Sequence, residues 1–171
     1  MSQTDFVYDI DDLSLENTVA GLLFESGLTI STAESCTGGL LAKRLTDIPG
    51  ASRVFSGGVV AYTGEAKTAM LGVDPSLISE KGAASREVAL AMADGVRGKF
   101  SADIGVAITG VAGPDSDGSG LEPGTVFIAL TTNKASHCHR CHFPHNRQRI
   151  RFESASHALD MVRRYLTGLE L

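Results

Sequence analysis

Apolar positions in this chain switch between two periods. Over residues 13–26, Leu15, Val19, Leu22 and Leu23 recur on one helical face, and Gly27 supplies a stop. Residues 28–33 (LTISTA) read as a short strand. Residues 37–45 return to helical spacing with Leu40, Leu41 and Leu45 inward, until Pro49-Gly50 breaks the pattern. Residues 53–62 (RVFSGGVVAY) predict a second strand, whose glycine pair marks a bulge or a close backbone approach. A short helix follows over 64–71, and Asp74-Pro75 opens another, with Asp74 as N-cap and proline in the first turn. Val88, Met92 and Val96 predict a helix over 85–100, entered at Ser85. Residues 103–109 (DIGVAIT) are almost continuously apolar, as in a strand covered on both faces. Strands over 125–131 and 136–143 form a hairpin across 132–135, and a closing helix runs over 146–166. Between them, residues 110–124 are rich in Gly, Pro, Asp and Ser. That loop is long for a compact domain, which marks it for function.

Strands and helices alternate first, then two strands run together. This order predicts the α/β class: a three-layer α/β/α domain with a mixed, mostly parallel sheet. Ligands of such sheets bind beyond the carboxyl ends of the strands. Three loops therefore become candidates: 34–39, 62–67 and 109–114.

The 171 residues suit one domain, here 13–171, behind a mobile acidic segment at 1–12 that carries Asp5, Asp9, Asp11 and Asp12. A hydrophobic content of 43% excludes a disordered chain. Fifteen Lys and Arg against 20 Asp and Glu leave a net charge of −5, which lacks the broad positive field of non-specific nucleic-acid binding. No nucleic-acid partner is expected. No apolar run reaches 18 residues, so no membrane span is expected, and the start lacks the basic and apolar pattern of a secretory signal. Three cysteines, an odd number, argue against a closed disulfide framework and suit a reducing cytoplasm.

Small residues crowd the turn Glu34-Ser35-Cys36-Thr37-Gly38-Gly39, where a strand feeds a helix. Main-chain N–H groups at such a point are unpaired and hold a phosphate or a developing oxyanion. The plainer reading is a Ser35 or Thr37 cap with glycines that permit close packing. Cys36 is a nucleophile at a helix start or a small buried hydrophobe. Ser52, Tyr62 and Lys67 form a second constellation. A serine needs a base to take its proton, and a neutral lysine is such a base. An intact ten-residue strand would hold Ser52 and Lys67 ~30 Å apart. Catalysis by this set thus requires the segment to bend near Ser56-Gly57-Gly58; otherwise Lys67 is a surface lysine and Ser52 a loop serine. Thr109-Gly110-Val111-Ala112-Gly113-Pro114 offers a hydroxyl and two glycines for backbone approach to a ligand.

The run His137-Cys138-His139-Arg140-Cys141-His142 has Cys-x2-Cys spacing but no second ligand pair, and strand alternation separates Cys138 from Cys141. No metal is assigned. Arg147, Arg149 and Arg151 are the densest basic cluster: a solvated face, or a site for an anion such as phosphate. A G-x-x-x-x-G-K-[ST] loop, a strand-linked G-x-G-x-x-G and a G-x-S-x-G elbow are all missing.

TAESCTGG at 32–39, LTDIPGAS at 45–52, GGVVAYTGEAK at 57–67, LGV at 71–73 and TGVAGP at 109–114 stand in order. Together they resemble the CinA C-terminal domain family, also called PncC-type nicotinamide mononucleotide deamidases, over nearly the whole chain. Many family proteins carry a further N-terminal molybdopterin-binding-like domain; this chain resembles the stand-alone form. The resemblance implies a three-layer fold and hydrolysis of the nicotinamide mononucleotide amide to nicotinate mononucleotide and ammonia, within NAD recycling. It matches Ser52 to the nucleophile, Tyr62 and Lys67 to the activating groups, and the amides of Ser35, Cys36 and Thr37 to an oxyanion hole. Substrate contacts fall to Glu34, Gly38, Gly39, Thr109, Gly110, Gly113, Arg147, Arg149 and Arg151. Where the family has Gly-Asp-Arg before the last helix, this chain has His145-Asn146-Arg147. The implied chemistry uses no metal or organic cofactor, and a homodimer is compatible with it. The competing reading is a non-catalytic nucleotide-binding or regulatory module of the same fold.

Overall fold

A computed structural model describes residues 14–116 and 118–171. The expected segment at 1–12 lies outside the described residues. Helix α1 (Leu15–Ser26) is started by Ser14, whose hydroxyl accepts from the Asn17 amide, and is ended by Gly27 in the left-handed region at φ 68°. Then follow β1 (Ile30–Glu34), α2 (Leu40–Thr46), a 3₁₀ turn (Ala51–Arg53), β2 (Phe55–Val60), α3 (Gly64–Leu71), α4 (Pro75–Lys81), α5 (Arg86–Phe100), β3 (Ile104–Gly110), β4 (Thr125–Thr131), β5 (Ser136–His142) and α6 (Arg147–Leu166). The expected caps Asp74 and Ser85 both accept main-chain N–H groups, from Ser76 and Val88.

The five strands stand in the order β2-β1-β3-β4-β5. β1 pairs in parallel with β2 and β3, whereas β3–β4 and β4–β5 are antiparallel. Four strands thus share one direction and β4 opposes them, giving the mixed, mostly parallel sheet of the sequence reading. Alternation along β3 and β4 divides the interior into two cores. Ile104, Val106, Ile108, Val126, Ile128 and Leu130 meet α1, α2 and α6 on one face. Ala107, Phe127 and Ala129 meet α3, α4 and α5 on the other. A one-residue slip would turn each set outward, and each fully buried Ile or Leu is worth ~2 kcal/mol, so the register is strongly specified. Small residues on the second face let a helix approach closely. A Cβ on Gly105 would lie 2.1 Å from the Ala93 carbonyl oxygen of α5.

β5 also follows the expected alternation: Cys138 joins the α5-side core and Cys141 packs on the α6 side. On that α6 side, His139 Nδ1 and His157 Nε2 lie 2.9 Å apart and join β5 to α6. Burial pushes His157 down to about 4, with the neighbouring His139 adding to the shift and Asp160 opposing it. An imidazole held neutral in the fold but protonated near 6.5 when unfolded stabilises the fold above pH 6.5, and this contribution is lost as pH falls from 6.5 towards 4. The expected cost across that window is roughly 3 kcal/mol. Urea unfolding at stepped pH checks it: His157→Gln should flatten the fall, and an unchanged profile would contradict the assignment.

Candidate active site

The carboxyl ends of β1, β2 and β3 lie together because the three strands are parallel and in register, with Glu34 opposite both Val60 and Ile108. The loops leaving them enclose a pocket of about 200 Å³. Ser35, Cys36, Tyr62, Gly110, Val111, Ala112, Gly113, Asp115 and Arg147 line it.

Ser35 follows directly on β1. Its N–H donates to the Ile108 carbonyl at 2.9 Å, which extends the β1–β3 pairing by one step and sets Ser35 beside Thr109. Its amide is therefore already engaged, so it is no oxyanion donor, contrary to the sequence expectation. The N–H groups of Cys36 and Thr37 donate to no main-chain carbonyl among the described residues. Alternation continues through the turn: Ala33 lies in the α5-side core and Cys36 in the α6-side core, so Ser35 shares the face of Ala33. Thr109 is on that same face.

Lys67 reaches this point from below. It is 2% exposed, and its Nζ donates to the Thr109 hydroxyl at 2.9 Å and to the Ala83 carbonyl at 2.6 Å. Thr109 Oγ1 in turn donates to Ala83 at 3.0 Å. Helix α3 makes this possible: Thr63 caps it at the end of the β2 loop, and its buried positions are Lys67 and Leu71, one turn apart. The Thr109 hydroxyl and the Ala83 carbonyl are both uncharged acceptors. At the mouth, Arg147 donates to the Gly113 carbonyl and to the Tyr62 hydroxyl, each at 2.8 Å. Arg147 opens α6 because Asn146, its N-cap, accepts from the Arg149 amide.

Ser52 is not here. It sits exposed in the 3₁₀ turn before β2, where Val54 accepts from Ile30 at the opposite end of β1. β2 does not double back. It has an irregularity at Ile30/Ser31 and then pairs with β1 from Gly57 to Val60. Six strand residues separate Ser52 from the pocket by roughly 20 Å. The serine–lysine pairing of Ser52 with Lys67 is therefore overturned by the continuity of the strand.

Several other expected substrate residues have structural duties. The Glu34 carboxylate accepts from the Leu41 and Ala42 amides at 3.0 and 2.8 Å and so caps α2 from within the protein. Gly38 and Gly39 take left-handed φ values of 60° and 94°, which turn the chain into α2. Arg151 donates to the Thr37 carbonyl at 2.8 Å, gripping the turn from its outer side. Arg149 pairs with Glu153 at 2.6 Å on the exposed face of α6. Neither arginine lines the pocket. The nominated loop 109–114 supplies Gly110, Val111, Ala112 and Gly113 to the lining, whereas sequence reading missed Asp115 there and Ala83 as an anchor of the lysine. Asp115 directly follows the TGVAGP run, which is the signal that would have found it; the Ala83 carbonyl carries none.

Cys36 lines the pocket but is a poor nucleophile. Burial pushes its thiol up to about 12, opposed in part by Lys67. A thiol needs its thiolate to react. Cys138 and Cys141 are raised by burial too, to about 11 and about 12. The native protein at pH 8 should resist iodoacetamide, while the unfolded chain takes up three groups by mass spectrometry. Rapid native labelling of Cys36 would contradict this picture.

A family model for the CinA C-terminal domain matches residues 12–166. The chain belongs to the CinA C-terminal domain family. This CinA-type chain is 47% identical over 168 residues to a relative from Caldanaerobacter subterraneus subsp. tengcongensis, named as a competence-damage inducible protein, covering 98% of this chain and 40% of that protein. It spans about two fifths of the length of the curated relatives it matches. Among solved structures, a CinA superfamily protein of Klebsiella pneumoniae 700603 superposes with TM-score 0.88 at 30% identity, over 90% of this chain and 96% of that one. A competence/damage inducible protein from Agrobacterium tumefaciens gives TM-score 0.84 at 35% identity, over 94% and 99%. These likenesses bear on CinA membership and on the fold. Among the described residues, no helix is long and apolar enough to cross a membrane.

Proposed function

We propose that the CinA domain is an amidohydrolase that converts nicotinamide mononucleotide to nicotinate mononucleotide and ammonia through an acyl-enzyme on Ser35. The observation that carries this reading is the buried Lys67 amine at Thr109, the direct neighbour of a pocket-lining serine. A lysine acts as a base only from its neutral form, and removal from water favours that form in general.

In the proposed reaction, the Ser35 hydroxyl proton passes to the Lys67 amine, directly or through the Thr109 hydroxyl, as Oγ attacks the carboxamide carbon. The developing oxyanion is met by the N–H groups of Cys36 and Thr37. The lysine returns the proton to the departing nitrogen, the carbon–nitrogen bond breaks, and ammonia leaves. Water, deprotonated by the same amine, then hydrolyses the ester and restores Ser35. Arg147, fixed by Gly113 and Tyr62, supplies the positive charge for the substrate phosphate. Tyr62 acts here as a strut for that arginine, since its hydroxyl is already bonded to it.

Ammonia release by the purified protein from the mononucleotide, its riboside and free nicotinamide is the test. Release from the mononucleotide, with loss when the phosphate is missing, supports the reading. Tight binding without turnover would instead identify a nucleotide-binding or regulatory module.

A further inference from the structure

The pocket holds two opposite charges that do not neutralise one another. Asp115 and Arg147 both line it. Arg147 spends its hydrogen bonds on two uncharged partners, the Gly113 carbonyl and the Tyr62 hydroxyl. None of the ion pairs among the described residues involves Asp115 or Arg147. The two therefore present separated negative and positive points to whatever enters. Val111, Ala112 and Gly113 are buried, while Pro114 and Asp115 emerge from them to the solvent side of the pocket. A ligand carrying only an anion would meet repulsion from the carboxylate, and one carrying only a cation would meet it from the guanidinium. A zwitterion satisfies both.

We infer that Asp115 is a specificity-determining residue that selects a positively charged aromatic ring, with Arg147 taking the anionic end of the same ligand. This rests on the proposed function above, and deepens it: the substrate class becomes N-glycosylated pyridinium carboxamides bearing a phosphate, as opposed to their neutral dihydro counterparts. Oxidised and dihydro mononucleotides share the carboxamide, the ribose and the phosphate and differ in the ring charge. A carboxylate beside the ring stabilises only the charged form, and at a solvent-accessible site a charge contact of this kind is worth about tenfold in affinity.

The experiment is calorimetric titration of both mononucleotides into the Ser35→Ala protein, which prevents turnover, and into the Ser35→Ala, Asp115→Asn protein. The first should bind the oxidised form about tenfold more tightly than the dihydro form. The Asp115→Asn change should weaken the oxidised form about tenfold, leave the dihydro form within twofold, and so erase the preference. Equal weakening of both forms would overturn the inference in favour of a ribose contact. A preference retained in the double variant would overturn it as well. If neither form binds and the unsubstituted protein releases no ammonia, the functional reading fails and takes the inference with it. If ammonia is released but no preference exists, only the inference fails.

Discussion

Replacing Ser35 with alanine should cut ammonia release from the mononucleotide by at least about 10³-fold, whereas Ser52→Ala should leave it within about twofold. The contrast follows from the ends of one strand. Ser35 lines the pocket beside Thr109, while Ser52 is exposed before β2. Removal of an acyl-accepting hydroxyl deletes the covalent route and leaves only binding and oxyanion contacts, which by themselves give a small residual rate. Loss of a hydroxyl from a surface turn removes nothing from the pocket. Cys36→Ala supplies the third arm: it should retain most of the rate, with a small loss of stability because a buried apolar volume is reduced. Steady-state ammonia assays on the three variants decide among the nucleophiles. Survival of the Ser35→Ala rate with collapse of Ser52→Ala would require a chain path that the continuous β1–β2 pairing forbids.

Lys67→Met should lower the turnover by about 10²–10⁴-fold, the usual contribution of a positioned base, while the protein stays folded. Methionine keeps an unbranched side chain of similar length in a position that is 2% exposed. It leaves Thr109 Oγ1 donating to Ala83, so that carbonyl keeps a partner. Methionine also removes the cost of burying the amine, which offsets the hydrogen bonds lost to Thr109 and Ala83. Thermal unfolding should therefore show a midpoint close to that of the parent protein beside the lost rate. Lys67→Arg makes a second variant: its guanidinium stays protonated at all relevant pH and cannot accept the serine proton. A Lys67→Arg rate near that of the parent would exclude the amine as base. A rate lost only together with the fold in both variants would make Lys67 a structural anchor of α3.

The two serines show how far one dimension reaches. Periodicity located each strand and helix within a few residues, because the apolar stripe of α5 and the apolar run of β3 are local properties set by burial on one or two faces. The caps Ser14, Asp74, Ser85 and Asn146 are likewise local, since each side chain bonds an amide two or three residues on. The switch from alternating elements to a hairpin was enough to place three layers and to nominate the loops after β1, β2 and β3. The resemblance then carried the family, and the domain match agrees with it.

Which groups meet inside those loops depended on contacts between distant segments. Thr109 and Lys67 are 42 positions apart and share a hydrogen bond; Tyr62 and Arg147 are 85 apart and share another. Arg149 and Arg151 looked equivalent to Arg147 along the chain, yet the turn of α6 sends one to a surface glutamate and the other to the back of the Thr37 carbonyl. The sequence alone determined the elements, the layers and the neighbourhood of the pocket, because these follow from short-range periodicity and from which faces must be buried. Only the tertiary structure put Ser35, and not Ser52, at the pocket, because parallel pairing holds β2 extended alongside β1 and so sends the two hydroxyls to opposite ends of the sheet.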